Sequence, residues 1–180
     1  LYVEGSMISR LLMGTAALQA VRANRVLVIM DEHQIEMFSN DTVNAVSAAR
    51  ATYGLDCTKI VTLTPPIRMT AEFMKSGRAA GEVNGIERIL AVLDENIGMF
   101  DALAIASVID LDNKTLEAYF NSDGEISNPW GGVEAMLTHA ISMLYEIPSA
   151  HSPMLESHEV ANIDLGLVEP RLAAEAVSLT

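Results

Sequence analysis

The chain has a single cysteine, Cys57, among its 180 residues, so no disulfide can close within it. A lone thiol fits a reducing compartment, and a cytoplasmic protein is the expectation. Aromatic residues are scarce, with one Trp, and no apolar run approaches the roughly 18 to 20 residues that a bilayer span needs. The first ten residues show neither the basic start nor the uninterrupted apolar core of a secretory signal. Positive charge is also short: 11 Lys and Arg stand against 24 Asp and Glu, a formal net charge of -13. That field repels a phosphate backbone and an anionic lipid surface, so neither nucleic acid nor membrane is an expected partner.

Half of the residues are apolar and 19% are charged, the composition of a globular protein with one substantial core. The chain starts at Leu1 rather than Met and stops at Thr180 inside an apolar helical pattern. The expectation is one α/β domain over 1–180, cut from a longer protein at both ends.

Periodicity gives the layout. After a cap at Ser6, Ile8, Leu11, Leu12, Thr15, Leu18 and Val21 recur at helical spacing. The run Val26 to Met30, ending at Asp31, reads as a strand buried on both faces. A helix capped at Asn40 or Asp41 then runs to Tyr53 and stops at Gly54. Lys59 to Leu63 reads as a second strand, closed by Pro65 and Pro66. Arg68 to Gly85 is a long polar, glycine-bearing loop by composition. A helix on Ile86, Ile89, Leu90, Leu93 and Ile97 ends at Gly98, and Ala102 to Ile109 is a third buried strand ending at Asp110. Asn113 can cap a short helix through Phe120. Strands alternating with helices of this length predict a layered α/β sandwich, its mostly parallel sheet flanked by helices.

Four stretches carry a family resemblance: Leu1 to Ser6 with Arg10 to Gly14, Ala48 to Asp56, Asn128 to His139, and His151 to Ser157. On these motifs the chain resembles a bacterial family with plant members, catalogued as a domain of unknown function. Members are longer than this chain on both sides. The resemblance implies a fuller context and carries no catalytic residue across.

Ligands of open parallel sheets sit beyond the carboxyl ends of the strands, which nominates Asp31, Thr64 and Asp110. Asp31 is followed by Glu32 and His33, a set that can bind a metal or move a proton, or simply form a solvated loop whose Asp caps the next turn. Arg68, Lys75 and Arg78 lie in the long loop and can clamp an anion, or else pair with surface carboxylates. The glycines there match neither a Walker loop nor the dinucleotide fingerprint, so no cofactor is named.

The densest cluster is Asn128 to Gly132. Pro129 and Trp130 fix the chain's approach, Gly131 and Gly132 admit a close backbone, and helix amides starting near Val133 can seat an anion. Downstream, Glu134 shares a helix face with Thr138, while His139 falls on a stripe with Met136 and Met143 and reads as a core histidine. His151, beside Ser152, is the candidate acid or base, with Glu134 as the second. His151, His158 and Glu134 match no strong metal-ligand spacing, and no nucleophile elbow surrounds Ser152. The alternative is a buried turn forming a dimer surface.

The expected function is acid–base catalysis of lyase or isomerase type on a small anionic metabolite. Gly131, Gly132, Asn128 and Trp130 form the seat, His151 and Glu134 are the acid–base candidates, Ser152, Asp31 and Asp110 are further ligand contacts, and Arg68 or Arg78 closes over the ligand. A non-catalytic metabolite-binding or regulatory protein could use the same pocket. The ten Met residues and apolar helices also allow a homo-oligomer interface.

Overall fold

The structure, a computed structural model, describes residues 2–3, 5–122, 124–162 and 170. The chain runs β1 (Tyr2–Val3), α1 (Gly5–Leu12), β2 (Arg25–Asp31), α2 (Glu36–Tyr53), β3 (Asp56–Leu63), β4 (Arg68–Phe73), β5 (Ala79–Asn84), α3 (Ile86–Glu95), β6 (Ala102–Asp110), α4 (Asn113–Phe120), α5 (Gly131–Tyr145), β7 (Ser149–Met154) and α6 (His158–Ala161). The main sheet has the order β1-β7-β6-β2-β3. β2, β3, β6 and β7 are mutually parallel, and only β1 runs antiparallel at the edge beside β7. The α/β sandwich with a mostly parallel sheet is thus the fold.

β2 and β6 lie at the centre, which is why their sequences are apolar on both faces. On β6, Leu103, Ile105 and Ile109 join Leu27 and Ile29 of β2 in the larger core, packed with Ile89 and Leu93 of α3 and Val133, Leu137 and Ile141 of α5. The opposite face of the sheet meets α2 through Met30, Phe38, Val28 and Val46. Arg25 ties the start of β2 to the approach to β6. Its Nη2 and Nε reach the two carboxylate oxygens of Asp101 at 2.6 and 2.9 Å, and its Nη1 donates to Gly98 O at 2.8 Å.

Three expectations are corrected. The first helix ends at Leu12 rather than running to Val21. Gly14 adopts φ 71° and Thr15 N donates back to Arg10 O, a glycine stop that leaves Leu18 and Val21 exposed. α2 starts at Glu36, ahead of the expected caps, because His33 Nδ1 accepts from Ile35 N at 2.9 Å and organises the turn before it. The loop Arg68 to Gly85 is an antiparallel hairpin, β4 and β5, turning through Gly77 at φ 79°. Its signal was the alternation on β4, where Met69 and Ala71 are buried between exposed Arg68, Thr70 and Glu72. β4 also pairs with the end of β6, Met69 opposite Ile109, so the hairpin extends from the carboxyl end of the sheet and lies on the first turns of α5.

Candidate functional site

Two polar loci stand out against the apolar layers. The first is an open cleft at the carboxyl ends of β2, β3 and β6. It has a volume of about 470 Å³, and its walls include Asp31, Glu32, His33, Arg68, Asp110 and Glu156. Asp31 ends β2 and is 3% exposed. From β3 the chain leaves through a cis Thr64–Pro65 bond and Pro66, and the Ile67 N–H that follows donates to Asp31 Oδ1 at 3.0 Å. Asp31 Oδ2 is buried without a hydrogen-bond partner, the single such side-chain oxygen or nitrogen among the described residues. Burial pushes the Asp31 carboxyl up to about 6, against the opposing pull of the Ile67 hydrogen bond and the Arg88 charge. Arg88, on α3, is held under the turn because its Nη1 donates to Pro66 O at 2.7 Å. A Cβ on Gly85 would lie 2.5 Å from that same Nη1, so the glycine makes room for the guanidinium.

The second locus is a buried polar seam between α5 and the β6–β7 pair. Glu134, Thr138 and Ser142 follow one another at four-residue spacing on α5, and all three face inward. Opposite them, β7 presents Ser149 and His151, and β6 presents Ser107. Ser149 Oγ donates to Thr138 O at 3.0 Å and lies 3.1 Å from Ser142 Oγ. His151 Nδ1 is 2.8 Å from Glu134 Oε1, and His151 Nε2 is 2.8 Å from Ser107 Oγ. The whole seam is sealed: His151 and Ser107 are 0% exposed. Met69 separates the two loci, lining the cleft while its Sδ lies 3.2 Å from Ser107 Oγ.

Of the residues nominated from sequence, Asp31, Arg68 and Asp110 meet in the cleft, and Asp31 is buried rather than part of a solvated loop. His151 and Glu134 meet each other in the seam, and neither lines the cleft. Arg78 is exposed in the hairpin turn, where its carbonyl accepts from Met74 N. Ser152 faces the other side of the sheet, beside Val28, Phe38 and Met154 in an apolar groove next to α2.

The start of α5 is built differently from an open anion seat. Asn128 Oδ1 accepts from Trp130 N and Gly131 N, both at 2.9 Å, so the two amides just ahead of those nominated for a ligand already have an acceptor. A Cβ on Gly132 would lie 2.4 Å from the Ala79 carbonyl carbon and oxygen, so the close approach there is made by the hairpin. Trp130 is buried edge-on against Tyr119, with ring centroids 5.7 Å apart. His139, read as a core histidine, is exposed, and so are Met136 and Met143. Two residues were missed. Ser107 breaks the apolar inward column of β6, which was a usable signal; Arg88 had none, since only the turn at Pro66 gives it a role.

Among the described residues no group of three or more His, Cys, Asp or Glu is placed to hold a metal ion. Comparison with known proteins gives a family and one relative. The family described as "Protein of unknown function (DUF3326)" matches residues 1–180. An uncharacterized lipoprotein of Synechococcus sp. is 27% identical over 180 residues, covering 99% of this chain and 49% of that protein. The chain thus spans about half the length of that curated relative. No solved structure matches the chain.

Proposed function

Because this chain belongs to the DUF3326 family of proteins of unknown function, we propose from its own geometry that the domain binds a small polar metabolite in the strand-end cleft, with Asp31 as the acid–base group. The observation that carries this reading is Asp31 Oδ2, an acceptor removed from water in the wall of an open cleft and lacking a partner. A ligand hydroxyl or amine donating to that oxygen supplies the missing bond. Arg68, in the same cleft, suits an anionic group on the ligand, while the surrounding Glu32, Asp110 and Glu156 disfavour a ligand that is only anionic. The proposed ligand therefore carries both a carboxylate or phosphate and a hydrogen-bond donor. A carboxyl that changes charge near neutrality can both take and return a proton, which suits lyase or isomerase chemistry.

His151 and Glu134 take no part in this reading, because they lie in the seam and not in the cleft. A cytoplasmic setting is proposed with it, resting on the lone Cys57. The lipoprotein name of the Synechococcus relative points instead to a membrane-anchored setting, and cell fractionation decides between them.

The experiment is a thermal-shift screen of hydroxy acids, amino acids and sugar phosphates, repeated with Asp31→Asn and Arg68→Ala. A ligand at about a hundred times its Kd stabilises the fold by roughly 2.7 kcal/mol, a readable shift. Loss of that shift in both variants is expected. A shift that survives both overturns the reading.

A further inference from the structure

The polar seam holds a nucleophile that the cleft chemistry does not use. Ser107 Oγ, His151 Nε2, His151 Nδ1 and Glu134 Oε1 form one line of two hydrogen bonds, each 2.8 Å long. We propose that Ser107 is a catalytic nucleophile with His151 as its base, acting on small polar carboxylic esters that reach it from the strand-end cleft past Met69. The other hydroxyls of the seam bond to one another or to helix carbonyls, as Ser149 does to Thr138 O and Thr138 to Glu134 O. Among the seam's hydroxyls with described bonds, Ser107 alone meets an imidazole backed by a carboxylate, the arrangement in which a serine can be activated.

The hydrogen-bond line has a place for every proton it carries. With Glu134 ionised and accepting from Nδ1–H, Nε2 is left as an acceptor, and the Ser107 hydroxyl donates to it. Met69 Sδ, 3.2 Å away, is the alternative and weaker acceptor for that same proton. If the proton moves to Nε2, the imidazolium donates to Glu134 on one side and to Oγ on the other, so every member still has a partner. The network can hold the transferred proton without leaving a buried group unsatisfied.

In the reaction, Ser107 Oγ bonds to the ester carbonyl carbon and its proton passes to His151 Nε2. The bond from that carbon to the leaving alcohol breaks, and the alcohol takes the proton. Water then attacks the acyl-serine, giving a proton to Nε2 that returns to Oγ as the acid departs. Access is set by Met69, which lines the cleft on one side and covers Ser107 on the other. An unbranched thioether changes rotamer at low cost, so it can uncover the hydroxyl without moving the backbone. Glu134 is a positioning residue that holds the His151 tautomer. The proposal does not depend on Asp31 being the acid–base group of the cleft.

The test is covalent labelling with diisopropyl fluorophosphate, read by intact mass and peptide mapping. The expected result is one diisopropylphosphoryl group on Ser107 with loss of fluoride, absent in Ser107→Ala, whose melting temperature shows that it folds. Met69→Ala, with a larger competent fraction, labels about tenfold faster. Glu134→Gln moves the acid limb of the labelling rate to lower pH, because a neutral amide stabilises the imidazolium less; a purely structural glutamate would lower the rate without moving the limb. No adduct in either the wild type or Met69→Ala overturns the proposal. So does an adduct that persists in Ser107→Ala, or an unmoved acid limb in Glu134→Gln.

Discussion

His151 Nδ1 and Glu134 Oε1 lie 2.8 Å apart in a layer where His151 is wholly buried and Glu134 is 5% exposed. Removing one member of such a pair leaves the other desolvated and unpartnered, which costs more than the pair contributes. Glu134→Ala is expected to destabilise the fold by about 3 kcal/mol, and Glu134→Gln by distinctly less because an amide oxygen still accepts from Nδ1–H. Urea unfolding of both variants measures this, and equal losses would show that the hydrogen bond is not what matters at that position.

That pair also shows what the sequence could and could not tell. The central strands were legible because β2 and β6 are short apolar runs rich in β-branched residues and bounded by Asp, the pattern of strands covered on both faces. α5 misled, since Met136, His139 and Met143 look like a buried stripe and are in fact its exposed face. Its inward face includes Glu134, Thr138 and Ser142, which are buried because Ser149 and His151 arrive opposite them from a strand that follows later in the chain. Periodicity weighs a residue by its own hydrophobicity, and no partner from elsewhere enters that sum. Asp31 and Asp110 were legible as strand ends, whereas the turn that buries Asp31 depends on how Pro65 and Pro66 redirect the chain.

The two adjacent glycines at the start of α5 are expected to differ sharply. A Cβ at Gly131 meets nothing closer than Asn128 Oδ1 at 3.7 Å, while one at Gly132 meets the Ala79 backbone at 2.4 Å. Backbone cannot rotate aside as a side chain can, so Gly132→Ala forces the hairpin off the helix, with an expected loss of about 2 kcal/mol or more. Gly131→Ala is expected to fall within roughly 0.5 kcal/mol of the wild type. Thermal unfolding of the two proteins makes the comparison, and a tolerated Gly132→Ala would mean that the hairpin packs elsewhere.

Asn128 gives a third expectation. Its Oδ1 accepts from both Trp130 N and Gly131 N, so Asn128→Ala leaves two amides at the helix start without that acceptor. The cost of losing such a cap is about 1 kcal/mol, and Asn128→Asp, which keeps the acceptor and adds negative charge at a helix N-terminus, should recover it. Chemical denaturation of the two variants checks both signs. Failure of the aspartate to recover stability would show that Asn128 acts through its amide nitrogen instead.

Asp31 ties stability to pH in the direction opposite to most carboxylates. In the folded protein its carboxyl holds a proton up to about pH 6, while in the unfolded chain the proton leaves near the ordinary value of about 3.9. Between those limits the folded state binds more protons than the unfolded one, so stability falls as pH rises from about 4 to about 6 and is level above that. A shift of this size corresponds to no more than about 3 kcal/mol, and solvent reaching the cleft reduces it to roughly 1–2 kcal/mol. Asp31→Asn keeps the Oδ1 acceptor for Ile67 N–H but carries no charge to desolvate. The wild type should therefore lose stability relative to Asp31→Asn by that amount across the window, measured as the difference between their urea unfolding free energies at each pH. A flat difference would mean that Asp31 is solvated in both states. A ligand that donates a hydrogen bond to Oδ2 changes the sign of this balance, since it stabilises the ionised carboxylate, so its affinity should rise through the same pH range in which the empty domain weakens.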